Sequence, residues 1–390
     1  MGEFELIRRH FARGITPGAL PPGAPRLAPQ VALGIGDDCA LLRPPPGQAL
    51  AISTDLLLEG RHFFAGTAAD AIGHKALAVN LSDLAAIGAR PLGFTLALAL
   101  PAIDEGWVAA FCRGLFALAD RSGCPLVGGD TTRGPLTISI TVFGAVAEAA
   151  ALRRDAARPG DRIWVSGPLG GAALAVAQRR AGGAVDAAAA RRLDWPEPRL
   201  ALGAALAGTT LAGAAPAGAA PAGAASAGAA RTVVAHAAID LSDGLAGDLR
   251  HIVAASSAAC GQPLVATLEA AAVPLDPALA GLTAADALHL ALHGGDDYEL
   301  LFTAPPRADA ALRQLAPAAV AIGRIDAAPA GVAERGMLLL DRAGRIETIE
   351  QGGFDHFREE SAGAAAPAVR TGSGSTGPGS IFDRNQSSTS

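Results

Sequence analysis

The chain has 390 residues, half of them apolar, and its 31 basic against 37 acidic side chains give a net charge of −6. This length favours about two domains. Because the basic residues form no block, the charge pattern argues against nucleic acid as the main partner. The four cysteines include no C-x-x-C pair, which argues against a zinc site or a disulfide framework and favours reduced thiols in the cytoplasm. The apolar stretch 92–103 is too short to span a bilayer, so no membrane segment is predicted.

Apolar spacing predicts alternating helices and strands through the first part of the chain. Helical periods occur at 3–13, 69–87 and 107–121, and apolar runs typical of strands occur at 49–52, 94–100, 125–127 and 136–146. The run at 49–52 is expected to end in a turn at 53–55. The helix at 69–87 would carry Lys75 and Asp83.

The pattern breaks and restarts at a strand over 162–165, so we expect a domain boundary just before it. The predicted domains are 1–148 and 149–360. Strands alternating with helices in both halves predict a two-domain α/β (α+β) protein. Residues 207–230 repeat Pro-Ala-Gly-Ala-Ala and have few large apolar side chains, so they are predicted to form a disordered insertion. Residues 361–390 are rich in Gly and Ser and are predicted to form a disordered tail.

The most informative pattern is a set of aspartates that lie beside Gly, Ser or Thr next to apolar runs. They occur at 34–38, 53–55, 128–132, 240–244 and 294–298, with a further aspartate at Asp83. Short carboxylates on tight turns suit Mg²⁺, which takes oxygen ligands and commonly brings phosphates with it. The pairs Asp37/Asp38, Asp240/Asp243 and Asp296/Asp297 would repel each other unless a cation lay between them. Together the motifs predict a metal–polyphosphate site assembled from both halves of the chain.

Each candidate also has a simpler interpretation. Asp and Gly favour turns for backbone reasons alone, and Asp243 could cap the helix that follows it. His62 could be a packing residue or a substrate contact, and the Arg153-Arg154 pair could be solvated or clamp a phosphate. Phe354 could anchor packing or stack on a flat ring. The turn at 166–171 could receive an anion at a helix N-terminus or be a plain βα turn.

The ordered motifs closely resemble those of the thiamine-monophosphate kinase family. The resembling segments are Gly-Glu-Phe-Glu-Leu-Ile at 2–7, Gly-Ile-Gly-Asp-Asp-Cys-Ala at 34–40, Ile-Ser-Thr-Asp at 52–55, Lys-Ala-Leu-Ala-Val-Asn-Leu-Ser-Asp-Leu-Ala-Ala at 75–86, Gly-Gly-Asp-Thr-Thr-Arg-Gly at 128–134, Ile-Asp-Leu-Ser-Asp-Gly-Leu at 239–245, Gly-Gly-Asp-Asp-Tyr-Glu-Leu at 294–300 and Gly-Phe-Asp-His-Phe at 353–357. The resemblance implies an aminoimidazole ribonucleotide synthetase-like fold and a homodimer formed through the N-terminal domains. It also implies transfer of the ATP γ-phosphoryl group to thiamine monophosphate, giving thiamine diphosphate and ADP, with several Mg²⁺ ions.

The resemblance also implies roles for individual residues. Positions that bind Mg²⁺ in the family match Asp38, Ser53, Thr54, Asp55, Asp83, Asp130, Asp240 and Asp243. Positions that contact ATP match Gly129, Asp130, Arg154 and Ser242. Positions that contact the thiamine substrate match His62, Asp296 and Phe354. No side-chain nucleophile is required, because positioning and charge neutralisation can carry phosphoryl transfer.

Two departures from the family's residues, and three alternative functions, stay open at the level of sequence. The family often has Glu where Asp296 stands, and Tyr or Trp where Phe354 stands. The alternatives are another ATP-dependent enzyme of the same superfamily, an Mg²⁺-dependent phosphatase, and a non-catalytic protein that binds metal or nucleotide. The Gly-Glu-Phe start and the Gly-Phe-Asp-His-Phe end argue against the first. Phosphate release without ATP would indicate the second, and tight ATP binding without turnover the third.

Overall fold

The computed structural model of the protein describes residues 3–12, 28–208, 234–329, 336–341 and 343–349. Nearly all of the predicted insertion, the predicted tail and Phe354 lie outside these residues. Within them, no helix is long and apolar enough to cross a membrane.

Helices and strands alternate along the described residues. The helices are α1 Glu3–Leu6, α2 Ala69–Ile87, α3 Glu105–Ser122, α4 Gly171–Arg180, α5 Ala187–Asp194, α6 Leu200–Leu206, α7 Leu245–Cys260, α8 Ala284–His293 and α9 Asp309–Leu315. The strands are β1 Val31–Leu33, β2 Leu41–Leu42, β3 Ala49–Leu58, β4 Arg90–Leu100, β5 Leu126–Arg133, β6 Thr137–Val146, β7 Arg162–Val165, β8 Ala237–Asp240, β9 Leu264–Glu269, β10 Leu300–Ala304, β11 Val320–Ala327, β12 Met337–Leu340 and β13 Ile346–Thr348. A π-helical turn, Ile7–Phe11, continues α1, and short 3₁₀ turns lie at Glu148–Ala150, Pro277–Gly281 and Pro306–Ala308.

The strands form two main sheets, one in each half of the chain. The first has four strands in the order β3-β6-β4-β5, with β6 antiparallel to both β3 and β4 and with β4 parallel to β5. The second has seven strands in the order β13-β12-β9-β11-β7-β10-β8, and its pairs are antiparallel except for β12 with β9. The predicted boundary at 148/149 falls between the two sheets, and the division into two folding units stays a prediction.

Helix α2 lies between the two sheets and contacts both. It packs on β3 and β6 of the first sheet and on β8 of the second. Most of its residues are buried, so the helix has no polar face, and Gly88 ends it in a left-handed conformation. The few polar residues of α2 therefore need partners inside the protein, and those partners define the candidate site.

Two glycines allow α2 and α6 to cross closely. A Cβ atom on Gly203 of α6 would lie 1.9 Å from the Ala85 carbonyl oxygen, and one on Gly88 would lie 2.4 Å from the Ala207 Cβ. Only glycine permits such an approach. Two residues on either side of the predicted insertion are also held together, because the Val234 N–H donates to the Leu206 carbonyl at 3.0 Å.

The prediction of a turn at 53–55 is wrong. Ser53, Thr54 and Asp55 lie in the middle of β3, which pairs with β6 along its whole length from Ala49 to Leu58. These polar residues interrupt the apolar run that indicated the strand. They do not end it, because alternate residues point to opposite faces: Ser53 and Asp55 face α2, and Thr54 is exposed. Asp130 likewise lies within β5 rather than on a turn.

Candidate active site between the two sheets

The site begins where β3 meets α2. The Ser53 hydroxyl donates to the Asp83 carboxylate at 2.5 Å. The buried Asn80 accepts the Asp55 N–H at 3.0 Å through its side-chain oxygen and donates to the Ala76 carbonyl. Asn80 thereby fixes the β3 backbone at Asp55 against the helix. Ser53, Asp55 and Asp83 are thus held together by local packing.

The Thr54 side chain lies apart from this group. Alternate residues of a strand point to opposite faces, and Thr54 is exposed, with its hydroxyl 2.8 Å from the Thr141 hydroxyl on β6. Any metal contact by Thr54 would therefore use its main chain.

Asp240, the last residue of β8, adds a carboxylate from the second sheet. It is 5% exposed. Burial, followed by the Asp83 charge, raises the pKa of Asp240 to about 7, and the neighbouring Ser82 hydroxyl opposes the rise. Burial and then Asp83 also raise the pKa of Asp55 to about 6. Asp55, Asp83 and Asp240 therefore lie close enough to repel one another.

The segment after Asp240 is held by a further buried carboxylate, Asp248 of α7. Its Oδ2 accepts the Asp243 N–H at 3.1 Å. Burial, and then the charges of Asp240 and Asp243, raise the pKa of Asp248 to about 8. Gly244, rather than Asp243, occupies the N-cap position of α7. This acidic turn is placed by Asp248 rather than by helix capping.

The loop 294–298 lies directly against the same turn. The Asp296 N–H donates to the Ser242 carbonyl at 2.9 Å and the Tyr298 N–H to the Leu241 carbonyl at 2.8 Å. Asp296 and Tyr298 have φ values of 67° and 48°, which non-glycine residues adopt at a cost of about 1 to 3 kcal/mol each. The Asp296 carboxylate is paired with Lys75 of α2 and accepts from the Tyr298 hydroxyl.

Glu299 anchors the end of this loop. It is 1% exposed and accepts hydrogen bonds from Ser166 and from both Nε and Nη2 of Arg199, the residue before α6. A buried carboxylate needs such partners to remain favourable. Glu299 thereby links the loop to Arg199 at the start of α6. Because α6 crosses α2 closely, the loop is also linked to α2, the helix that carries Lys75 and Asp83.

The turn at 166–171 has an internal acceptor. The Gly170 N–H, immediately before α4, donates to both carboxylate oxygens of Asp297 at 3.0 and 3.1 Å. Burial raises the pKa of Asp297 well above its usual value. This finding favours the plain βα turn over an anion site, and it gives Asp297 a structural contact.

The other predicted residues lie on the surface of the protein. Asp38 and Asp130 are exposed. Burial raises the pKa of Asp83, and Arg154, which is also exposed, lies near enough to that carboxyl to oppose the rise, as does the Ser53 hydrogen bond. Gly129 has φ 148°, and a Cβ there would lie 1.9 Å from the Leu96 carbonyl oxygen, so the strand before Asp130 requires glycine. No contact joins Asp38 or Asp130 to Asp55 among the described residues.

His62 is half-buried and has a defined tautomer. Its Nδ1 accepts the Leu58 N–H at 2.9 Å, which places the proton of the neutral ring on Nε2. Phe354, the third predicted substrate contact, lies outside the described residues.

The donor set fits Mg²⁺ by its chemistry. Carboxylate and hydroxyl oxygens are the ligands that Mg²⁺ prefers, and a cation would relieve the repulsion that raises the pKa values of Asp55 and Asp240. In the described part of the chain, no group of three or more His, Cys, Asp or Glu side chains converges to hold a metal. Mg²⁺ is commonly bound by one or two carboxylates together with water and substrate phosphates, so a complete protein cage is not required.

Sequence reasoning did not assign a role to Lys75, Asn80, Tyr298 or Asp248, all of which contact the site. Three of them lie inside the motifs already noted. The available signal was polar residues within apolar helical periods: Lys75 and Asn80 interrupt α2, and Asp248 interrupts α7.

Comparison with known proteins agrees with the fold and the motifs. Residues 36–146 match the family described as AIR synthase related protein, N-terminal domain. The thiamine-monophosphate kinase of Escherichia coli (strain K12) is 40% identical over 370 residues, covering 91% of this chain and 98% of that protein. The crystal structure of thiamine-monophosphate kinase from Stenotrophomonas maltophilia K279a is 42% identical with a TM-score of 0.67, covering 80% of this chain and 91% of that one.

A structure of AaThiL in complex with AMPPCP and TMP is also similar, at 25% identity and a TM-score of 0.63, over 80% of this chain and 88% of that one. These matches confirm the predicted α/β class with an aminoimidazole ribonucleotide synthetase-like fold. They also confirm the resemblance drawn from the motifs. The chain belongs to the thiamine-monophosphate kinase family.

Proposed function

We propose that this protein transfers the γ-phosphoryl group of ATP to the phosphate of thiamine monophosphate, forming thiamine diphosphate and ADP with the help of Mg²⁺. Family membership supports the activity, and the AaThiL complex holds an ATP analogue together with TMP. The observation in this chain that carries the proposal is the meeting of Asp55 and Asp83 from one half with Asp240 from the other.

The chemistry requires two negatively charged phosphates to approach each other. Bound Mg²⁺ supplies charge neutralisation and a template for the phosphates. We assign this binding to Asp55, Asp83 and Asp240, with the Ser53 hydroxyl beside them, and to Asp38, Asp130, Asp243 and the Thr54 main chain at the margins of the site. Gly129, Asp130, Arg154 and Ser242 are assigned to ATP. Arg154 is the cation that already lies near Asp83, which suits a phosphate contact.

The acceptor substrate is assigned to the side of the site formed by the loop 294–298. Thiamine monophosphate carries a cationic ring and an aminopyrimidine, for which the partly exposed Asp296 carboxylate is a suitable acceptor. His62 Nε2–H is a donor, and Phe354 is assigned to ring stacking. In this arrangement the protein positions the phosphates and neutralises their charge, and no protein side chain forms a covalent intermediate.

An assay of purified protein with ATP, Mg²⁺ and thiamine monophosphate tests the proposal. Thiamine diphosphate and ADP should form in equal amounts, and thiamine itself should be a poor acceptor because it lacks the acceptor phosphate. Free phosphate in place of thiamine diphosphate would overturn the proposal in favour of a phosphatase, and ATP binding without turnover would indicate a binding protein.

We further propose a homodimer formed through the first sheet. The face of β3 turned away from α2 carries Leu50, Ile52, Leu56 and Leu58, with exposed fractions of 46%, 59%, 51% and 37%. Such a row of exposed apolar residues, interrupted by Thr54, is typical of a protein interface. A second copy of the chain is the occupant that family membership indicates, because the same face on each copy would bury itself in a two-fold contact.

The dimer predicts that Ile52→Glu with Leu56→Glu yields monomers, because two buried charges per subunit would face each other across the contact. Sedimentation velocity on the variant measures this directly. Ile346→Glu is the matched control, since Ile346 on β13 is 61% exposed but belongs to the other sheet. A double variant that stays dimeric, or a control that also dissociates, would contradict the assignment.

A cytoplasmic location completes the proposal. It is supported by four free cysteines, of which Cys112 and Cys124 are buried, and by the use of ATP.

A further inference from the structure

Lys75 is the only lysine among the 31 basic residues of this chain. Arginine therefore serves at every other position that needs a positive charge. A single lysine is informative in this composition, because the compact ammonium and the planar guanidinium differ in shape and hydrogen bonding.

Lys75 is buried and has one carboxylate as its counter-charge. The side chain is 4% exposed and lies in α2, which packs against both sheets and α6. Its Nζ lies 3.1 Å from Asp296 Oδ1, an ion pair rather than a well-directed hydrogen bond. A buried charge without a counter-charge would be strongly unfavourable, so Lys75 and Asp296 depend on each other.

The two internal contacts of Asp296 fall on the same oxygen. Lys75 Nζ and the Tyr298 hydroxyl lie 3.1 and 3.0 Å from Oδ1. Among the described residues, no donor reaches Oδ2. Since the Asp296 side chain is 29% exposed, the carboxylate is held through Oδ1, and Oδ2 is left for a ligand.

The backbone is held in the matching conformation. Asp296 and Tyr298 both have positive φ, and their N–H groups are taken by Ser242 and Leu241. Strain of this kind persists only where surrounding contacts impose it, and it commonly marks a functional site. The Lys75 contact reaches this loop from α2, in the other half of the chain.

We propose that Lys75 is a positioning residue that fixes the Asp296 carboxylate from α2, so that Oδ2 accepts an N–H of the cationic acceptor substrate. The inference rests on the proposed function and adds a determinant of substrate binding to it. Lys75 acts through Asp296, because its own ammonium group is buried in the protein.

Lys75→Met tests the inference, since methionine keeps the apolar stem and removes the charge. We expect the KM for thiamine monophosphate to rise at least tenfold, while the KM for ATP changes less than twofold. His74→Leu is the matched control. His74 is the adjacent buried polar residue of α2 and contacts the Pro196 carbonyl at 2.8 Å. It should lower the melting temperature without changing either KM.

A double-mutant cycle separates positioning from general damage to the helix. If Lys75 acts through Asp296, Lys75→Met should change the KM for thiamine monophosphate less than twofold in an Asp296→Asn background. Equal effects in both backgrounds, or an unchanged KM in Lys75→Met alone, would overturn the inference. An unmodified protein that fails to phosphorylate thiamine monophosphate would instead overturn the proposed function, so the two failures are distinguishable.

Discussion

Asp240→Asn should abolish most phosphoryl transfer while making the metal-free protein more stable at pH 8. Asp240 is the carboxylate that the second sheet brings to Asp55 and Asp83, and Mg²⁺ stabilises the transition state of such transfers by several kcal/mol. We therefore expect kcat to fall by about 10²- to 10³-fold. Steady-state kinetics at saturating ATP, thiamine monophosphate and Mg²⁺ measure this loss.

The gain in stability follows from the raised pKa of Asp240. The folded-state pKa is about 7 against an ordinary value of 3.8. Between these two pH values, the folded metal-free protein holds a proton that the unfolded chain has released. The electrostatic penalty is then complete above pH 7 and disappears as the pH falls toward 4. Each pKa unit corresponds to about 1.4 kcal/mol, but Asp55 and Asp83 keep part of the repulsion. We expect about 2 kcal/mol at pH 8, or about 4 °C in Tm.

Thermal unfolding with EDTA at pH 8 and at pH 4.5 would measure both parts of this result. The variant should gain Tm at pH 8 and lose most of that advantage at pH 4.5, and Mg²⁺ should stabilise it less than the parent protein. Asp326→Asn is the control, since Asp326 makes an exposed surface pair with Arg324 and should change neither activity nor Tm. A destabilised Asp240→Asn protein at pH 8, or one with normal turnover, would contradict the electrostatic account.

The elements with strong local periodicity were predictable from the sequence. The helix expected at 69–87 matches α2, Ala69–Ile87, because apolar spacing and the following glycine are both local signals. The turn expected at 53–55 is wrong because Ser53 and Asp55 find polar partners on α2 and Thr54 lies on the exposed face, so the strand continues through all three. The pattern of polar and apolar residues in one strand does not indicate which element packs on each of its faces.

The sequence motifs grouped the acidic residues, whose roles at the site stay a prediction, but they did not indicate the contacts between them. The motifs identified Asp55, Asp83 and Asp240, and the structure brings these carboxylates within reach of one another. The link between Lys75 and Asp296 joins distant parts of the chain. Such a pair depends on how α2 packs between the two sheets, which no local pattern reports.

Gly295→Ala should separate the acidic turn after β8 from the substrate loop and impair both. A Cβ on Gly295 would lie 2.3 Å from the Ser242 carbonyl oxygen, which is far inside normal contact. That carbonyl accepts the Asp296 N–H at 2.9 Å, so the added methyl group would force the two segments apart just where they are hydrogen-bonded. Gly295 lacks positive φ, so the expected effect is steric rather than conformational.

We expect kcat/KM to fall about 100-fold, since a displacement of about 1 Å can cost that much in a reaction that depends on positioning. The free energy of unfolding should fall by about 1 to 3 kcal/mol, as is common for overpacking. Gly281→Ala is the matched control because a Cβ there meets nothing within 4 Å. If the Gly295→Ala protein kept normal kcat/KM while losing stability, the contact between the two segments would serve folding alone. Because that contact joins the Asp240–Asp243 turn to Asp296, we expect the substitution to raise the KM values for both ATP and thiamine monophosphate, unlike Lys75→Met, which should affect only the second.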